Sequence, residues 1–235
     1  MGAGHETHGW VLHRRPWRES SLLVEFLSES HGRIGLVARG GRSERSPWRG
    51  LIEPFMPLNV SFVVKGEMGT LKDVEAIGDR YLLTGQALWC GLYVNELLIY
   101  LLERDEAIPH LLAHYRRLIG ELMHGTGDLA GLRRFEWDLL TALGVAPSLD
   151  TDADGASPIV ATCRYRLELD YGFVPTEAEH GVVISGEALQ WLADLREETP
   201  ACDRLREVQR MNRALIDHQL GGRQLKTREL IRSLM

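Results

Sequence analysis

Cysteine is scarce in this chain of 235 residues: Cys90, Cys163 and Cys202 are the whole set. An odd number without paired spacing excludes a disulfide framework and a zinc site built from cysteine pairs, and it suits a reducing, cytoplasmic setting. Long apolar runs are missing as well. The longest, Ala87 to Leu102, is too short to span a bilayer and carries Asn95 and Glu96 near its middle. At the N-terminus His5, Glu6 and His8 interrupt any secretory-type segment. No membrane association is expected.

The signatures of catalysis are absent too. The glycines around Gly35, Gly40 and Gly41 match neither the phosphate-loop nor the dinucleotide pattern, and no nucleophile elbow or carboxylate pair occurs. Asp150, Asp152, Asp154 and Gly155 open like a calcium-binding loop, but Ala161 stands where the bidentate Glu belongs and Pro158 interrupts the segment. His110 and His114 share a helix face, yet Leu111 stands where a zinc peptidase places its general base. We therefore expect no catalytic residue, no metal and no cofactor.

What the chain does have is charge placed against its own average. The net charge is −6, but from Gly32 to Gly50 five arginines (Arg33, Arg39, Arg42, Arg45 and Arg49) face one acid, Glu44. Residues 145–203 hold 3 basic and 12 acidic residues, while residues 204–235 hold 8 and 3. A basic segment in an acidic protein marks a polyanionic partner, because arginine reaches phosphates bidentately and glycine lets the backbone approach them. On a later helical stretch Arg206, Arg210 and Arg213 recur at i, i+4 and i+7, opposite Leu205, Val208 and Leu215. Arg133 and Arg134 lie beside Phe135 and Trp137, with Arg116 and Arg117 on the preceding helical stretch. A cationic rim next to an apolar groove suits an acidic peptide with a hydrophobic end.

Periodicity divides the chain. Short alternating runs at 10–13, 21–27, 33–38, 58–64 and 71–76 predict five strands and a small barrel over residues 1–80. The arginine segment falls between the third and fourth strands, beside the binding face of an OB-type barrel. Most aromatic residues here are expected in the core; Trp48, inside the charged segment, is the ring expected to meet a base. Residues 81–235 read as a helical domain. A bundle of helices at 84–104, 108–123 and 129–143 occupies 82–144, the last capped by Asp128. An irregular acidic segment at 145–183 contains one strand-like run, 163–169. Helices follow from Ser185 to about 197, from Asp203 to about 220, and over 227–234. The fold class is thus α+β: a five-stranded OB-fold barrel followed by a mainly helical domain.

The order VLHRRPWRESSLLVEFLSESHGRIGLVARGGRSERSPWRGLIEPF, then GLYVNELL (91–98), LRRFEWDLLTALG (132–144), YGFVP (171–175) and LGGRQLKTREL (220–230), resembles the RecO family of bacterial recombination mediators nearly end to end. The resemblance implies a non-enzymatic protein of the cytoplasm and nucleoid that binds single- and double-stranded DNA and anneals complementary strands. It also implies partnership with RecR, docking of the acidic tail of the single-strand-binding protein SSB, and help in loading RecA onto SSB-coated DNA. It carries DNA contact to Arg39, Arg42 and Arg45, with Arg33 and Arg49 as neighbours; Trp48 and the Arg206, Arg210 and Arg213 stripe are further DNA-contact candidates read from the residues themselves. SSB-tail contact falls on Arg133, with Arg134 and Arg116 as neighbours. Many relatives hold zinc through four cysteines in the segment corresponding to 145–175; here that segment has only Cys163, so zinc is not expected. The rival expectation is a protein-interaction scaffold whose barrel does not bind DNA.

Overall fold

The computed structural model describes residues 4–108, 110–125, 129–194 and 201–234. Their contacts group into two compact units: residues up to Gly125 together with those from Leu225 onward, and the residues between. The expected Asp128 cap lies outside the described residues.

The first unit is built on five strands, β1 (Gly4–Trp17), β2 (Ser21–Ser28), β3 (Gly32–Ala38), β4 (Pro57–Lys65) and β5 (Met68–Ala76), closed in the order β1-β2-β3-β5-β4. All pairings are antiparallel except β3 with β5, joined in parallel at Leu36↔Gly69 and Val37↔Thr70. This is the OB-fold barrel that the alternation predicts. Its interior follows the period of two: Leu22, Val24 and Phe26, then Ile34, Leu36 and Ala38, then Leu58, Val60 and Phe62 all point inward and are buried. Strand β1 is longer than the 10–13 run, because its first half pairs with β4 and its second half with β2. A bulge between Val11 and His13 lets it turn that corner.

The outer face of β1 is also covered. Trp10 and Leu12 are buried there, and the Trp10 ring lies 5.1 Å from Tyr81 and 5.5 Å from Tyr115. Helix α1 (Gly85–Leu101) brings Asn95, whose amide donates to the Leu12 carbonyl at 2.9 Å, while the Tyr115 hydroxyl of α2 (Leu111–His124) donates to the Asn95 amide oxygen at 2.8 Å. These bonds satisfy polar groups that would be costly to bury unpaired, and burial pushes the Tyr115 hydroxyl well above its usual pKa. Helix α1 ends before the expected 104 because the following residues run beside β3, with Asp105 N–H donating to the Arg33 carbonyl at 3.0 Å. The last helix, α6 (Lys226–Leu234), returns to this unit: Glu96 of α1 accepts from the N–H groups of Lys226 and Thr227, both at 2.9 Å, a carboxylate at a helix N-terminus.

One end of the barrel holds a chain of polar groups. Thr7 and Ser30 hydroxyls lie 2.9 Å apart, Ser30 Oγ is 2.7 Å from His31 Nδ1, and His31 Nε2 is 3.2 Å from His5 Nδ1. The His5 ring stacks on Phe62 at 5.2 Å. Burial, and then the neighbouring His5, hold His31 below its ordinary value of 6.5. The fold therefore prefers the neutral ring: the stability it contributes is complete above about pH 6.5 and is lost as pH falls through the lowered folded value. Thermal melts between about pH 7.5 and about pH 5 are expected to show a smaller acid-side loss for His31→Gln than for the parent protein.

The second unit packs α3 (Ala130–Ala142), α4 (Gly186–Ala193) and α5 (Cys202–Gln219) with a small antiparallel sheet, β6 (Arg164–Glu168), β7 (Gly172–Pro175) and β8 (Val183–Ser185), in the order β7-β6-β8. The segment 145–183, expected to be irregular with one strand, thus carries two, β6 and β7, and β8 begins at its last residue. The sheet delivers Tyr165, Leu167, Phe173 and Ile184 to a core shared with Phe135, Leu139, Leu189, Val208 and Leu215, all buried. Ser185 caps α4 as expected, accepting from Ala188 N–H at 3.3 Å. The final turn of α5 is followed by Gly221 and Gly222 at φ 57° and 87°, a left-handed exit that glycine adopts without strain.

Candidate nucleic-acid interface

The connection from β3 to β4, residues 39–56, is a run of tight turns. Gly41 N–H donates to Ala38, Ser43 to Gly40, Ser46 to Ser43 and Leu51 to Trp48, at 3.0 to 3.2 Å. It has an apolar foot and a charged crown. Ile52 and Met56 belong to the barrel core, and Trp48 and Leu51 pack against it, while Arg39, Arg42, Arg45 and Arg49 are exposed. Among the described residues no partner faces the side chains of Arg39, Arg45 or Arg49. Three guanidinium groups are thus presented to solvent by a segment whose base is fixed.

Arg42 plays a different part. Its Nη1 donates to the carbonyls of Arg18 and Glu19, at 3.4 and 3.3 Å, and its own N–H donates to the Ser20 carbonyl at 2.9 Å. These bonds tie the β3–β4 connection to the turn between β1 and β2, where Arg18 sits at φ 52°. The turn adds Arg15 and Arg18, both exposed, to the basic surface, and it carries the exposed Trp17. The acid at the edge, Glu53, is neutralised by Arg14 at 2.5 Å.

Other arginines read from the sequence are placed less openly. Arg33 lies beneath the surface: Nη1 donates to Glu25 at 2.9 Å and Nε to the Leu102 carbonyl at 3.0 Å, and Arg104 shares the same Glu25. Trp48 packs on the barrel core. On α5 Arg206 pairs with Asp203 at 3.1 Å and Arg213 with Asp217 at 3.6 Å, so the stripe is partly neutralised, while Arg210 is exposed without a partner among the described residues. Arg133 is buried at 7% exposure, paired with Glu136 at 2.9 Å, and Asn212 donates to both the Arg133 carbonyl and the Glu136 carboxylate. Arg134 lies 4.9 Å from the Trp191 ring centroid. Arg116, in the first unit, is exposed on the rim of a cleft of about 790 Å³ with Arg80, Arg117 and His124 around Trp10, Ile77 and Met123.

Residues 1–80 match the family model "Recombination protein O N terminal", and residues 82–229 match "Recombination protein O C terminal". The chain belongs to the RecO family. Three relatives, each named DNA repair protein RecO, span nearly all of it. That of Alkalilimnicola ehrlichii is 44% identical over 96% of this chain and 90% of its own. That of Halorhodospira halophila is 42% identical over 100% and 99%, and that of Escherichia coli 38% over 97% and 95%.

Within this RecO-family barrel, sequence reasoning missed the β1–β2 turn. The signal was present in the run Arg14-Arg15-Pro16-Trp17-Arg18. Arg18 and Arg42 are far apart in sequence, and it is the hydrogen bonds of Arg42 together with the Arg14–Glu53 ion pair that join the two segments. No helix among the described residues is long and apolar enough to cross a membrane, and no group of three or more metal-ligating side chains occurs among them.

Proposed function

We propose that this RecO-family protein binds single- and double-stranded DNA along the sugar–phosphate backbone, anneals complementary strands and, with RecR, helps load RecA onto SSB-coated single strands, without catalysing a reaction. The observation that carries the reading is the crown of the β3–β4 connection. Arg39, Arg45 and Arg49 are exposed and, among the described residues, unpaired on a loop whose foot is buried in the barrel. An anchored cationic loop contacts phosphates with little ordering penalty and little sequence preference. Arg33 supports the site from below by fixing Glu25, and Arg42 by joining the two loops. Arg210 on α5 offers a weaker cationic contact, with Arg206 and Arg213 held in surface ion pairs.

For the SSB tail, an acidic peptide ending in an aromatic residue, the supporting features are accessible cations beside apolar surface. Arg116 at its cleft and Arg134 at Trp191 provide these, whereas Arg133 contributes by holding α3 to α5 through Glu136 and Asn212. The domain expectation, a barrel over 1–80 and a helical part over 81–235, remains the functional division we propose, with DNA on the first and the tail site among the helices.

Fluorescence anisotropy with a labelled single-stranded oligonucleotide at low and high salt tests the reading. Binding that falls steeply with salt, and is the same for unrelated sequences, is expected. Absence of binding at low salt would leave the scaffold as the better account.

A further inference from the structure

Trp17 stands apart from the other five tryptophans. Trp10, Trp137 and Trp191 are buried, and Trp48 and Trp89 partly so, while Trp17 is 37% exposed at the end of β1. A single exposed apolar side chain is ordinary on a protein surface; its setting here is not. The Arg15 guanidinium lies 6.0 Å from the Trp17 ring centroid, Arg18 follows directly, and the turn that carries them is clamped by Arg42 of the basic loop. The ring therefore shares one fixed surface with cations that have phosphate-binding chemistry.

We infer that Trp17 is a base-stacking residue: it receives an unpaired base of a single strand while the arginines of the two loops hold the flanking phosphates. The inference deepens the DNA-binding reading above and rests on it. An indole offers its π face to any base, so the contact carries affinity without sequence preference. In an intact duplex the base faces are already stacked on one another, so the same residue favours single strands over duplex. It would also hold a base exposed for pairing with an incoming strand.

The test compares the full-length protein with Trp17→Ala, Trp17→Phe and the Arg39→Glu, Arg45→Glu, Arg49→Glu triple variant on an oligothymidylate and on an abasic oligonucleotide of equal length. Trp17→Ala is expected to bind the oligothymidylate about tenfold more weakly, the loss of one base–aromatic stack, with an unchanged salt slope. Trp17→Phe should recover most of that loss. On the abasic strand Trp17→Ala and parent protein should bind alike, which a merely structural role for the ring would not produce. Equal affinity of Trp17→Ala and parent on oligothymidylate, or equal loss on both strands, overturns the inference even where the arginine variant loses binding. Failure of the parent protein to bind either strand overturns the DNA-binding reading itself.

Discussion

Reversing Arg39, Arg45 and Arg49 together to Glu is expected to lower affinity for a single-stranded oligonucleotide by about 100-fold or more near physiological salt. Each phosphate contact contributes about 0.7 to 0.9 to the slope of log affinity against log salt. Three contacts amount to about 100-fold of counterion-release affinity between 1 M and 0.15 M salt, and repulsion from three new carboxylates adds to the loss. The fold should not suffer. These side chains are exposed and unpaired among the described residues, so no buried partner is orphaned by their loss. The melting temperature should stay close to that of the parent protein while the salt slope drops by about 2 to 3. An unchanged slope would assign the electrostatic binding to other arginines, Arg210 first among them.

Arg133→Ala is expected to act on stability before it acts on any ligand. Glu136 is 1% exposed, and removing the guanidinium takes the cationic partner at 2.9 Å from a buried carboxylate. Breaking one side of a buried ion pair costs about 3 to 5 kcal/mol, and in a protein of this size that lowers the melting temperature by roughly 6 to 15 °C. The double variant Arg133→Met, Glu136→Leu should regain much of the loss, because it removes the stranded charge and keeps the volume. Thermal or urea unfolding of the three proteins checks both statements. The consequence for the SSB tail is direct: weakened peptide binding in Arg133→Ala reports unfolding as much as contact. Arg116→Ala in the first unit and Arg134→Ala in the second each test one of the two candidate tail contacts. If Arg133→Ala proves as stable as the parent while tail binding vanishes, the guanidinium contacts the peptide and the ion pair is dispensable.

The barrel was legible because its strands bury one face at a period of two, and apolar residues fill that face in β2, β3 and β4. The N-terminal half of β1 was not, because its inward residue Thr7 is polar and satisfied by the Ser28 and Ser30 hydroxyls rather than by apolar contact. Two of the three short strands of the second unit, β7 and β8, escaped for a different reason, whereas β6 lies within the expected run 163–169. At four and three residues they are too brief for alternation to stand out. The arginines sort by partners that charge counting cannot see. Arg33 and Arg39 look alike in sequence, yet Glu25 on the neighbouring strand draws one inward and leaves the other free. The two tryptophans of the region differ in setting: Trp48, whose carbonyl accepts from Ile52 N–H, packs against the barrel core, whereas Trp17 at the end of β1 is exposed.

On the proposed function the β3–β4 connection and the β1–β2 turn form one surface for single-stranded DNA. Photo-crosslinking of the full-length protein to an oligonucleotide carrying halogenated uracils, followed by mass spectrometry of the adducts, locates that surface directly. Adducts concentrated on peptides containing residues 15–18 and 39–49, with Trp17 among the modified residues, are the expected result; adducts confined to α5 around Arg210, with both loops unmodified, would contradict it.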